Sequence, residues 1–151
     1  MKDETVGDLP REVTFDELGV SEALRAAIEA LEWERPTPIQ IKGIPAGMTG
    51  DDIVGIAQTG TGKTGAFVIP CLERIEAGQG LQVLVLCPTR ELAQQVCDDT
   101  KALAKGTRLR AASIYGGVSY GPQLEALRTG IEVISATPGR FLDHLGRGRV
   151  K

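Results

Sequence analysis

Ala57-Gln58-Thr59-Gly60-Thr61-Gly62-Lys63-Thr64 follows an apolar stretch at residues 52–56 and runs into a helical pattern that starts at Lys63. Residues 52–56 read as a short buried strand, and residues 63–77 as a helix ended by Gly78 and Gly80. Glycines at such a strand-to-helix junction let the backbone turn its N–H groups inward, toward phosphate oxygens. The helix contributes its positive dipole end. In this pattern the lysine, Lys63, reaches the β- and γ-phosphates, and the Thr64 hydroxyl meets Mg²⁺. The strict form of the pattern has glycine where this chain has Ala57. The competing reading is an ordinary strand–helix turn.

Outward from this loop, strands and helices alternate. Residues 81–87 form an almost purely apolar run of strand length, stopped by Pro88. Residues 110–115 and 131–136 are further strand candidates. Helical patterns cover 22–31 after the capping Ser21, 91–104, 122–127 and 140–145. Thr37-Pro38 opens another helix, a capping residue followed by proline at the first helical position. Apolar strands alternating with helices predict an α/β domain with a parallel sheet, whose ligands bind at the carboxyl ends of the strands.

The bulk numbers exclude several classes. With 151 residues, 42% hydrophobic and 25% charged, the chain has the make-up of one globular domain. No apolar run approaches the roughly 18 residues of a membrane span. The acidic, polar start lacks the basic and apolar blocks of a secretory signal. Cys71, Cys87 and Cys97 have neither disulfide nor zinc spacing and read as core thiols in a reducing, cytoplasmic setting. His144 is the single histidine and is expected at the surface. Residues 1–100 carry 8 basic and 17 acidic side chains, and residues 101–151 carry 9 and 3. The basic excess of the second part hints at a polyanion face.

The loop at 57–64 resembles the form typical of DEAD-box ATP-dependent RNA helicases, and further segments resemble that family's motifs in its order. Residues 35–40, Arg-Pro-Thr-Pro-Ile-Gln, resemble its Q motif, with Phe15 standing 25 residues before Gln40 as an upstream aromatic. Pro88-Thr89-Arg90-Glu91-Leu92-Ala93 resembles motif Ia, Gly116-Gly117 the glycine doublet, and Thr137-Pro138-Gly139-Arg140 motif Ib. The resemblance covers about residues 13–149.

The resemblance implies a RecA-like parallel sheet flanked by helices. It implies ATP with Mg²⁺ as cofactors, bound by Phe15, Gln40 and residues 57–64. Gln40 would select adenine, since an amide offers both a donor and an acceptor, and Phe15 would stack on the base. Pro88, Thr89, Arg90, Gly116, Gly117, Thr137, Pro138, Gly139 and Arg140 would hold the single-stranded RNA backbone, because hydroxyls, guanidinium groups and bare backbone donate to phosphate. The competing readings are a polar helix residue at Gln40, a core anchor at Phe15 and a plain capping turn at 137–140.

The family usually has Gly-Phe where this chain has Glu32-Trp33. Trp33 can serve as the aromatic anchor. Glu32 lacks the freedom of glycine, so the preceding helix is expected to end differently.

The resemblance divides the chain into a flexible lead-in at 1–12, a Q-motif region at 13–41, and a partial helicase ATP-binding domain at 42–151. That domain would be cut before the strand bearing Asp-Glu-Ala-Asp, and a second RecA-like domain is absent from the sequence. The expected function is ATP-dependent RNA unwinding or remodelling, carried here by an N-terminal piece without the hydrolytic motif. Alternatives are a stand-alone, non-hydrolysing nucleotide- or RNA-binding module and a DNA-acting helicase of related fold.

Overall fold

The computed structural model describes residues 13–150. The lead-in expected at 1–12 lies outside the described residues, as does Lys151. Among the described residues, three helices, α1 (Glu22–Ala30), α2 (Pro38–Thr49) and α3 (Lys63–Arg74), precede a regular alternation of β1 (Val83–Leu86), α4 (Arg90–Leu103), β2 (Ala111–Ile114), α5 (Gly121–Thr129), β3 (Val133–Ala136) and α6 (Pro138–Gly146). The expected parallel α/β architecture is present. β3 lies between β1 and β2 and pairs parallel with both. All four β3 residues are buried, as befits a central strand covered on both faces.

The register sets the functional edge. Leu86, Ala136 and Ile114 lie in one row at the carboxyl end of the sheet. The three segments that leave this row begin at Cys87, Thr137 and Tyr115, so motifs far apart in sequence emerge side by side. α4 is fastened to the sheet below them: the Ser135 hydroxyl donates to Ala93 O at 2.7 Å, and the Ser113 and Tyr115 hydroxyls both donate to Gln94 Oε1.

The main core joins Phe15, Leu24 and Ile28 to Ile44, Ile69, Leu72, Cys97 and Leu103. Small residues let α2 and α3 approach closely. A Cβ built on Gly43 would lie 3.2 Å from the Ala66 Cβ, and one on Gly47 only 2.6 Å from the Pro70 ring.

Three expectations need correction. Residues 52–56 form no strand. They belong to no regular element and are exposed, with Val54 90% and Ile56 89% accessible. A strand needs a neighbour to bond to, and β1 has no partner on its outer side among the described residues. A cleft of about 880 Å³ opens there, with Ile53, Lys63, Phe67, Val85 and Leu86 among its lining.

The second correction concerns α3, which stops at Arg74, short of residue 77. Ile75 turns extended and packs on the core, while the Gln82 amide takes both backbone groups of Glu76. A side chain thus replaces the helical partners. The third is α1, which ends as a glycine would end it: Glu32 itself adopts φ 58°. Glu32 N–H donates to Glu29 O and Trp33 N–H to Ile28 O, the pair of bonds that closes a left-handed helix terminus. These bonds and the packing of Trp33 on the core offset the strain of a side chain in that conformation.

Candidate nucleotide site and nucleic-acid face

The loop at 57–64 turns at its glycines. Gly60 and Gly62 take φ of 80° and 83°, and Gly62 caps α3. No backbone N–H of residues 58–62 donates to a backbone carbonyl. These free donors, next to the first turn of α3, make a nest suited to an anion. Lys63 Nζ folds back 2.5 Å from Ala57 O, and Thr61 Oγ1 closes the turn on Gln58 O. The ammonium is thus held over its own loop by one carbonyl, a weaker partner than a phosphate. Polyphosphate fits these residues. For Mg²⁺, no cluster of three or more His, Cys, Asp or Glu stands ready among the described residues. The ion would rely on Thr64 together with phosphate oxygens and water, the usual manner for Mg²⁺.

α2 brings Gln40 to this loop. Thr37 caps α2, and its N–H donates to Gln40 Oε1 at 3.0 Å. Gln40 Nε2 donates in turn to Gly62 O at 3.2 Å. Gln40 is 2% exposed. A Cβ on Gly65 would lie 2.8 Å from Gln40 Nε2 and 2.9 Å from the Trp33 ring. The bare backbone of Gly65 therefore lets Trp33 and Gln40 press against the loop helix. Phe15 is 6% exposed within the core and also borders a recess with Arg25, Trp33 and Glu34.

At the carboxyl edge of the sheet the motif Ia, doublet and motif Ib residues do come together. Thr89 caps α4 by accepting from Leu92 N–H at 3.2 Å. Arg90 is exposed and paired with Glu91. A Cβ on Gly117 would lie 3.4 Å from Arg90 Nη1, and Gly117 takes φ 81°. Gly116 and Gly139 have open space where a side chain would be. Thr137 starts α6, with Pro138 in its first turn. Arg140 is turned inward: its Nη1 donates to Val118 O at 3.0 Å and to Gln123 Oε1 at 3.3 Å, and its guanidinium stacks over Tyr120 at 4.0 Å.

Behind Arg140 stands a residue that the sequence reading put on the surface. His144 is fully buried, because α6 turns Phe141 and His144 inward and leaves Leu142 and Leu145 exposed. Its Nε2 lies 3.1 Å from Gln123 Oε1, and its Nδ1 has no partner. Burial holds the imidazole below the ordinary histidine range, and the Arg149 and Arg140 charges push the same way. Asp143, held below the usual carboxylate range by hydrogen bonds from Tyr120 and Arg147, opposes them in part. Gln123, Tyr120 and the buried His144 carry no motif signature.

The DEAD/DEAH box helicase family model matches residues 37–151. The chain is 44% identical over 149 residues to the ATP-dependent RNA helicase dbp2 of Emericella nidulans, covering 94% of this chain and 26% of that protein. It thus spans about a quarter of the length of that curated relative. Among solved structures it is similar to a DEAD box protein from the hyperthermophile Methanococcus jannaschii, with TM-score 0.85 and 42% identity over 91% of this chain and 38% of that one. It is also similar to a hypothetical ATP-dependent RNA helicase from Sulfolobus tokodaii, with TM-score 0.78 and 35% identity over 86% of this chain and 38% of that one.

Proposed function

Since this chain belongs to the DEAD/DEAH box helicase family, we propose that it is the nucleotide- and RNA-gripping part of an ATP-dependent RNA helicase. ATP enters with its phosphates in the loop at 57–64 and its adenine read by Gln40, with Phe15 beside the base. Single-stranded RNA lies by its backbone along Thr89, Arg90, Gly116, Gly117, Thr137, Gly139 and Arg140. One observation carries this reading: Gln40 is hydrogen-bonded to the Gly62 carbonyl, which couples a base-reading amide to a loop of free N–H donors.

The chemistry available here is binding. Mg²⁺ would supply charge neutralisation between the phosphates, with Thr64 as its protein contact. Lys63 would leave the Ala57 carbonyl for the β- and γ-phosphates. Hydrolysis also needs a carboxylate that positions the metal and one that prepares water, and Asp-Glu-Ala-Asp is not among the 151 residues. Turnover by these residues alone is therefore expected at background. A reducing, cytoplasmic setting fits the three free thiols.

The test is calorimetric titration of ADP and GDP into residues 1–151 and into Lys63→Ala, with ATP turnover measured with and without single-stranded RNA. Binding of ADP that is lost in Lys63→Ala supports the reading. Unchanged ADP affinity in that variant would reduce the loop to a structural turn. Turnover abolished by Lys63→Ala would show that another carboxylate completes the site.

A further inference from the structure

Gln123 is 6% exposed and belongs to none of the motifs above, yet it makes three hydrogen bonds, one to the end of β2 and two to α6. Its Nε2 donates to Tyr115 O at 2.9 Å, at the end of β2 where the glycine doublet begins. Its Oε1 accepts from Arg140 Nη1 at 3.3 Å and lies 3.1 Å from His144 Nε2. The polarity of this knot is fixed by chemistry. Tyr115 O can only accept and Arg140 can only donate, so the amide has one possible orientation. With Oε1 already an acceptor, His144 must carry its proton on Nε2. Arg140 Nη1 also reaches Val118 O, and its guanidinium plane rests on Tyr120. One buried amide therefore sets the position of the doublet loop relative to α6.

We infer that Gln123 is the positioning residue that locks Arg140 and the Gly116-Gly117 loop into one preformed surface for the RNA backbone. This inference rests on the RNA-binding reading above. A guanidinium anchored through Nη1 keeps its remaining N–H donors in a fixed direction, which lowers the ordering cost of meeting a phosphate. Freed of Gln123, Arg140 would be a long, mobile side chain, and the doublet loop would lose its tie to α6.

The test combines a double-mutant cycle with the signal of the chain's single histidine. Binding of fluorescein-labelled oligouridine to residues 1–151 is followed by anisotropy for Gln123→Leu, Arg140→Gln, the double variant and Arg90→Gln. ADP affinity on the same samples reports whether the nucleotide half is folded. Gln123→Leu is expected to weaken oligouridine binding roughly tenfold or more, the scale of one hydrogen bond to a charged group. Adding Arg140→Gln should then cost no more than about twofold further, because the two residues act as one unit. Losses that multiply independently, or no loss in Gln123→Leu, overturn the inference.

If Arg90→Gln weakens binding and Arg140→Gln does not, the RNA face stands and the role of Gln123 falls. If the unaltered chain binds no oligouridine, both fall. Should Gln123→Leu also lose ADP binding through misfolding, Gln123→Glu decides. A carboxylate facing His144 Nε2 raises the imidazole pKa, visible in the NMR titration of His144. An unmoved titration means the contact is absent in solution and overturns the inference.

Discussion

Gln40 Nε2 donates to the carbonyl of Gly62 at 3.2 Å, so the helix capped by Thr37 is tied to the residue that caps α3. A glutamine amide has two donors and two acceptor lone pairs. Thr37 N–H and Gly62 O use one of each. One donor and one acceptor remain, the pair that adenine's N7 and amino group require and that guanine's carbonyl mismatches. ADP should therefore bind more tightly than GDP by about 1–3 kcal/mol, or roughly five- to 150-fold. Gln40→Ala should abolish this preference and loosen the loop as well, lowering both affinities. Calorimetry with the two nucleotides checks it. Equal affinities in the unaltered chain would refute the role of Gln40.

Gly65→Ala sets two effects against each other. Alanine in a helix is favoured over glycine by about 1 kcal/mol. Here its Cβ would meet Gln40 Nε2 at 2.8 Å and the Trp33 ring at 2.9 Å. Overpacking of this kind costs about 1–3 kcal/mol. The clash should win, giving a lower melting midpoint and weaker ADP binding. A raised midpoint would mean that Trp33 and Gln40 move aside freely.

Glu32→Gly should go the other way. The left-handed conformation costs a non-glycine residue about 1–2 kcal/mol, and glycine returns about 0.5–1 kcal/mol of that in unfolded-chain entropy. Glu32 is exposed, so little packing is lost. A stabilisation of about 0.5–1 kcal/mol in urea unfolding is expected from the balance of these terms.

Glu132 is fully buried in a clip at the amino end of β3. Its two carboxylate oxygens accept from Gly78 N–H and Arg110 N–H, both at 2.8 Å, and the Arg110 guanidinium lies 3.8 Å away. Glu132→Ala strands two backbone donors, at about 1–3 kcal/mol each. A melting midpoint lowered by several degrees should follow, at about 2–4 °C per kcal/mol for a chain of this size. An unchanged midpoint would show that water takes the place of the carboxylate.

His144 gives the pH dependence its sign. Its imidazole is held below the ordinary histidine value, chiefly by burial and then by Arg149, Arg140 and Arg147, with Asp143 opposing. The folded chain thus prefers the neutral ring. That contribution is complete above the unfolded value of about 6.5 and is lost as pH falls below it toward the depressed folded value. Midpoints measured from pH 8 to 5 should fall less steeply in His144→Gln than in the unaltered chain. Equal slopes would mean that the ring titrates normally.

How much of this was legible in the sequence depends on how local each determinant is. The strands around Val83, Ala111 and Val133 announce themselves as apolar runs with glycine or proline at their ends, and their parallel pairing follows from the helices between them. The loop at 57–64 and the start of α2 at Thr37-Pro38 are local signatures too. Residues 52–56 have an equally apolar pattern and still form no strand, because pairing depends on a neighbour that pattern cannot report. The burial of His144 is set by Gln123 on α5 and by which face of α6 turns inward. The early end of α3 is set by the Gln82 amide, six residues beyond Glu76. Arg140 was legible as a basic residue of the edge, while the carbonyl and the tyrosine that hold it inward were not.

Trp33 is the only tryptophan in the chain, and its ring lies against Gly65, two residues past Lys63. Its ultraviolet emission therefore originates almost entirely beside the loop that would receive the phosphates. Filling that loop, or shifting Gln40 against it, changes the polarity around a single indole. The molecule thus carries a built-in optical probe of its own occupancy, readable without any attached dye.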